Sequence, residues 1–236
     1  MDLKEVELVD PDTHWYYQSK LHALERATRR FSPDWTTLID VGAGSGFFAR
    51  SLADFTGQQR VVCVDPNYEQ ERVEESGRLR FVKEVPAAGG ELYLFMDVLE
   101  HVSNDVGLLA RYLQHAQSGT KVYITVPAFM SLWSAHDVYL EHFRRYRLHE
   151  ISKVAEEAGL RVIHQRYLFG SVFPAALLIR RATGVRKKKS DLKKLNGFLN
   201  KALMTMVKTE HRLWSNRFFG VSAFVVAEVP SKNSEN

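Results

Sequence analysis

Apolar and polar positions along this chain follow two alternating periods. Over residues 14–31, Tyr17, Leu21, Leu24 and Ala27 recur at helical spacing, and Ser32-Pro33-Asp34 ends the run. Short apolar runs at 38–41, 60–65, 79–83, 91–96, 121–126, 161–169 and 219–229 predict seven strands. Helices are expected between them at 46–55, 105–117 and 148–158, with a polar one at 68–75. Two more are expected at 172–181 and 191–214, inside a stretch of about fifty residues between the sixth and seventh strands. Strands alternating with helices predict a parallel sheet covered on both faces: an α/β, doubly wound domain spanning residues 1–236.

The first strand runs into Asp40-Val41-Gly42-Ala43-Gly44-Ser45-Gly46, and an apolar-periodic helix follows. Alternate glycines let the backbone approach a ligand closely, and the helix presents its positive end there. The second strand ends in Asp65, where a carboxylate can accept from both hydroxyls of a ribose. This half of the chain therefore reads as a nucleoside site. Gly44 to Ala49 satisfies G-x-G-x-x-A, so the glycines alone do not exclude a nicotinamide dinucleotide. Asp40 argues against one, because its charge would repel a pyrophosphate and attract an α-amino group.

The fourth strand closes with Asp97-Val98-Leu99-Glu100-His101, a D-x-L-E-H sequence. With the glycine turn and Asp65, in this order and spacing, it resembles the class I S-adenosylmethionine (SAM) dependent methyltransferases. The resemblance implies a seven-stranded sheet ordered 3-2-1-4-5-7-6, its last strand antiparallel, here with a helical insertion at 170–217. It implies SAM as cofactor, held by Asp40, Gly42, Ala43, Gly44, Gly46, Asp65, Pro66, Met96, Asp97 and Val98. Glu84 stands where the family carries an acidic or polar residue near the adenine amine. His101, one turn past Asp97, is a candidate general base that could also touch SAM. His14-Trp15-Tyr16-Tyr17 with Lys20 resembles an aromatic signature of a bacterial subgroup. It implies a helical lid over residues 1–36, with Tyr17 covering the sulfonium and Lys20 meeting the SAM carboxylate. Residues 126–146 resemble the same subgroup and should overlie the acceptor. There His136 and Asp137 are expected either to act as a base or to order the loop, and Arg144 and Arg145 could hold an anionic acceptor. No metal is expected.

Composition narrows the partner. The 236 residues are 45% hydrophobic and 25% charged, ordinary for a globular protein. No apolar stretch approaches the roughly 20 residues that span a bilayer, no signal peptide is evident, and the lone Cys63 allows no internal disulfide, which together suggest a cytoplasmic protein. Between positions 144 and 217 the chain carries 18 Lys/Arg against 5 Asp/Glu, while the rest has a net charge of −9. A basic third suggests an anionic partner. The apolar run 172–179, followed by Arg180, Arg181 and Arg186 to Lys189, could lie on an anionic membrane at its inner face. The expected acceptor is a small or amphiphilic, lipid-linked molecule, methylated at O, N or C. RNA ranks low, because no base-stacking aromatic-basic pattern is present. A non-catalytic SAM-fold binding protein is the alternative from another class, and the oligomeric state is open.

Overall fold

A computed structural model of the protein describes residues 8–57, 60–74, 76–85, 89–183 and 195–231. The helices are α1 (Trp15–Phe31), α2 (Phe47–Thr56), α3 (Asp105–Leu113), α4 (Ala135–Tyr139), α5 (Leu148–Glu157), α6 (Phe173–Thr183) and α7 (Gly197–Leu213). The strands are β1 (Thr37–Val41), β2 (Arg60–Val64), β3 (Arg72–Val73), β4 (Leu79–Val82), β5 (Leu92–Met96), β6 (Lys121–Pro127), β7 (Arg161–Leu168) and β8 (Ser222–Glu228). The basic run 186–189, the start of the helix expected at 191–214 and residues 86–88 lie outside the described residues.

All eight strands form one sheet in the order β3-β4-β2-β1-β5-β6-β8-β7. Strands β4, β2, β1, β5 and β6 run parallel, and β8 is antiparallel to both its neighbours. Without the short β3, this is the order 3-2-1-4-5-7-6. The strands alternate faces with the period of two that the pleat demands. Leu38, Val61, Cys63, Leu92 and Leu94 pack under α1 and α2 on one side. Ile39, Val41, Val62, Tyr93 and Phe95 pack with Leu109 of α3 and Ile151 of α5 on the other.

The polar helix expected at 68–75 does not form. That segment has no apolar stripe to bury, so a helix there would gain little from packing. It instead makes β3, paired antiparallel to β4 and joined to it through a turn with Gly77 at φ 71°. Arg72 lays its guanidinium 3.9 Å above the Phe81 ring.

α7 of the insertion is docked along α1. The Asn200 side chain accepts from the Trp15 N–H at 2.9 Å and donates to the Thr13 carbonyl at 2.8 Å. The rings of His22 and His211 stack at 6.2 Å.

Candidate functional site

The carboxyl ends of β1, β2 and β5 open on a crevice where the strand order reverses. An open α/β sheet places ligands at such a switch point. The glycine turn forms its floor. Gly42 has φ 66°, and a Cβ there would lie 2.7 Å from Val98 Cγ2, so only glycine fits between β1 and Val98. Gly46, at φ 75°, caps the start of α2. The Asp65 carboxylate accepts from the N–H of Gly44 at 3.1 Å and of Asn67 at 2.9 Å, and the Tyr68 hydroxyl donates to the Gly44 carbonyl at 2.7 Å. Asn67 Nδ2 also donates to Asp65 Oδ1 at 3.1 Å, so these bonds fix the turn and leave a lone pair on Oδ2 for a ligand.

Asp40 is buried beneath the turn, and its Oδ1 has no hydrogen-bond partner among the described residues. Burial, reinforced by the nearby charge of Asp65, pushes its carboxyl up to about 7. An unpartnered buried carboxylate is costly, and a cationic group placed beside it would relieve that cost. Ala43 and Met96 are also buried here, Val98 is half-buried, and Pro66 and Glu84 are exposed.

α1 closes one side of the crevice. Lys20 is fully buried and bonds to Asp97 and, at 2.9 Å, to the Tyr16 hydroxyl. Burial alone would discharge the ammonium, but Asp97 and Tyr16 more than offset it and hold it charged, while Lys20 keeps Asp97 below its ordinary range despite burial. Thr125 Oγ1 donates to the other Asp97 oxygen at 3.1 Å, and Asp97 takes φ 57° to turn its side chain towards α1. The cation's partner is therefore a side chain of β5's edge, 77 residues away in sequence. Tyr16 shares its face and stacks at 5.0 Å on Phe169. Tyr17 instead packs in the core against Phe47 and Phe48.

The D-x-L-E-H segment turns through a short 3-10 helix, Leu99–His101. The His101 ring meets His142 edge-on at 4.7 Å. His142 Nδ1 lies 3.0 Å from Asp137, whose carboxylate also takes a two-pronged Arg145 guanidinium at 2.6 and 3.0 Å and the Ser134 N–H at 2.8 Å. These bonds, the guanidinium and His142 foremost, hold Asp137 far below the carboxylate range against its burial. Asp137 thus orders the loop and orients His142. His136 lies farther off, 6.4 Å from the His142 ring. Arg144 bonds to Asp105 and the Ser103 carbonyl, and Arg145 to Asp137 and the Ala128 carbonyl, so both guanidiniums brace the loop, Arg145 from a buried position.

Glu100 is fully buried with both oxygens unpartnered among the described residues, and burial, then Asp97, push its carboxyl well above the usual range. Ligand atoms of Glu100, His101 and His142 lie within 4.8 Å of one another, an arrangement able to pass a proton or hold a cation. The sequence reading passed over Glu100 and His142. The first stood inside the recognised motif, and the second carried no signal beyond lying in an aromatic, histidine-rich loop.

A model of the methyltransferase domain family matches residues 14–165. No curated protein matches the sequence. Among solved structures, the chain is similar to a Haloferax volcanii protein described as a methyltransferase, in complex with the Trm112 methyltransferase activator. That likeness has a TM-score of 0.60 at 18% identity and covers 99% of this chain and 95% of that one. A Bacillus halodurans protein described as a methyltransferase matches at TM-score 0.53 and 15% identity, over 89% of this chain and 99% of that one. The phosphoethanolamine N-methyltransferase 2 of Haemonchus contortus, in complex with SAM, matches at TM-score 0.53 and 18% identity, over 98% of this chain and 60% of that one.

Proposed function

We propose that this chain, which belongs to the methyltransferase domain family, transfers the methyl of SAM to an amphiphilic acceptor. The observation that carries the cofactor assignment is the Gly42–Gly46 turn, held between two buried carboxylates, Asp40 and Asp65, at adjacent strand ends. The fit is chemical. Asp40 has an unpartnered oxygen suited to an ammonium, and Asp65 Oδ2 keeps a lone pair suited to a ribose hydroxyl. Gly42, where a Cβ would strike Val98, lets the turn lie close against the residues that follow β5. When bound, SAM supplies a methyl already activated on a sulfonium, so the protein's part is alignment and exclusion of water.

In this reading Asp40 meets the amino group and Asp65 the ribose. The Lys20–Asp97 pair and Tyr16 wall the methionine end, the buried ammonium of Lys20 setting a positive charge near the SAM carboxylate. His101 takes the proton that the acceptor loses as its O, N or C forms the bond to the methyl carbon. His142, held by Asp137, which Arg145 clamps, keeps His101 in place; His136 stands behind it. Glu84 and Pro66 line the adenosine side.

Support for an amphiphilic acceptor comes from the C-terminal helices. Leu178 and Ile179 of α6, Phe198 and Leu213 of α7, and Trp214 and Phe218 beyond it are all exposed, Phe198 at 87% and Leu213 at 82%. They stand among exposed Arg181, Lys201, Arg212 and Arg217. Apolar side chains fringed by cations suit the surface of an anionic bilayer, and no helix among the described residues is long and apolar enough to cross one. The test is methyl transfer from labelled SAM into a membrane extract partitioned between organic and aqueous phases. Label in the organic phase is expected. Label confined to the aqueous phase would point to a small soluble acceptor, and no label in either phase would remove the catalytic reading.

A further inference from the structure

A second cluster lies at the far end of α1, ten residues or about 15 Å along the helix from Lys20. The last turns of α1, the middle of β7 and the end of α7 enclose a cavity of about 200 Å³. Arg26, Arg30, Arg166, Arg212, His164 and His211 line it, together with the apolar Phe31, Leu213, Trp214 and Phe224. Arg166 and His211 are buried, whereas Arg26, Arg30 and Arg212 stand exposed at the rim.

The cationic groups at this cavity are not neutralised within the described residues. None of the four arginines makes a salt bridge there, and Arg166 Nη2 and both ring nitrogens of His211 are buried without a hydrogen-bond partner. His22, stacked on His211, has an orphaned Nδ1 as well. The carboxylate that Arg166 feels is Glu210, whose oxygens already accept from the N–H groups of Gly170 and Ser171 at 2.9 and 2.8 Å. Burial first, and then the neighbouring arginines, press His211 down to about 3 and His164 to about 4, so both imidazoles are neutral and the arginines carry the positive charge of the cavity.

A simpler account is helix capping, since Arg30 and Arg212 lie in the last turns of α1 and α7, where cations favour the dipole. That account covers the rim only. It does not explain a guanidinium on β7 buried with a free Nη2, nor a buried histidine with neither nitrogen bonded. Buried polar atoms are nearly always satisfied, so two orphaned donors at one cavity, Arg166 Nη2 and the N–H of a neutral His211, call for an acceptor from outside.

We infer that this cavity is a second ligand site, separate from the cofactor crevice, that takes a phosphate or diphosphate group. Arg166 and His211 form the floor beneath the oxygens, and Arg26, Arg30 and Arg212 close over them. Guanidinium forks match phosphate oxygens in pairs, and the cavity is roomy enough for such a group. Its apolar lining continues onto exposed Leu213, Trp214 and Phe218, a path along which a hydrocarbon attached to the phosphate could leave. A soluble phosphate and a lipid headgroup share this chemistry, and the experiment separates them.

Pyrophosphate titrated into the full-length protein at low ionic strength should bind saturably, one per chain, and raise the melting temperature. Arg166→Gln, and separately the rim variant Arg26→Gln/Arg30→Gln/Arg212→Gln, should each weaken that binding roughly tenfold or more, as loss of charge-assisted bonds implies. SAM affinity should be unchanged in both, which also reports that they fold. If Arg166→Gln does not fold, the exposed rim variant decides alone. Sedimentation with phosphatidylcholine vesicles containing phosphatidate, but not with pure phosphatidylcholine, and its reversal by pyrophosphate assign the site to a lipid headgroup. Pyrophosphate binding without sedimentation assigns it to a soluble phosphate. No pyrophosphate binding beyond that of sodium chloride at equal ionic strength, or equal binding by the rim variant, overturns the proposal.

Discussion

Replacing Asp40 by asparagine should make the protein more stable and a poorer SAM binder, and the gain in stability should depend on pH in one direction. The Asp40 carboxyl rises from 3.8 to about 7 because it is buried beside Asp65 with Oδ1 unpartnered. A folded value above the unfolded one means that the stability contribution is full below about 4 and is lost as pH climbs through about 7. At about 1.4 kcal/mol per unit, the ionised side chain costs the apo protein on the order of 4 kcal/mol at pH 8, but only about 1–2 kcal/mol at pH 5. Asparagine carries no such charge. The advantage of Asp40→Asn over wild type should therefore widen by about 2–3 kcal/mol between pH 5 and pH 8, several degrees of melting temperature for a chain of this size. Urea midpoints of both proteins at four pH values measure it, and taking the difference cancels the titration of other groups. SAM should show the opposite trend. Losing the partner of the ammonium should weaken binding by about 1–3 kcal/mol at pH 8, read by calorimetry. A stability difference constant across this range, or unaltered SAM affinity, would refute the assignment of Asp40.

Lys20→Met should cost about 3–5 kcal/mol of stability, because it strands the Asp97 carboxylate at the crevice wall, and adding Asp97→Asn should recover much of that loss. Thermal melts of the two single variants and the double variant test this, and simple additivity would show that the pair is not coupled. His101→Ala should lower kcat by roughly 10²–10⁴-fold with SAM affinity preserved, as expected for loss of a general base. Dialysis against EDTA should leave methyl transfer intact, since the proposed reaction needs His101 as a base and no metal. Activity lost to EDTA and restored by Zn²⁺ would show that Glu100, His101 and His142 hold a metal.

What could be read in the sequence was what depends on near neighbours. The glycine turn depends on local spacing, and Asp40 and Asp65 take their places from the strands they end. The short apolar run ending at Val41 marked β1 as a buried strand. Long-range partners were not legible. Lys20 could be placed on a helix face, but its pairing with Asp97 depends on how α1 settles across β5. Asp137 suited a base as well as a loop anchor until His142 and Arg145 converged on it. The stretch at 68–75 misled because its Glu and Gln residues favour a helix locally, whereas with no apolar stripe to bury the segment pairs with β4 and Arg72 settles on the Phe81 ring. The cavity beside Arg166 gathers residues from α1, β7 and α7, and no single segment hints at it.

The central claim is that the Gly42–Gly46 crevice binds SAM. Calorimetric titration of SAM and of its demethylated product into wild type and Asp65→Ala tests it most directly. One site per chain is predicted for each ligand, weakened in Asp65→Ala by about 1–3 kcal/mol through loss of the charged acceptor for the ribose. Absence of SAM binding to the wild type, or equal affinity in the two proteins, would contradict the account.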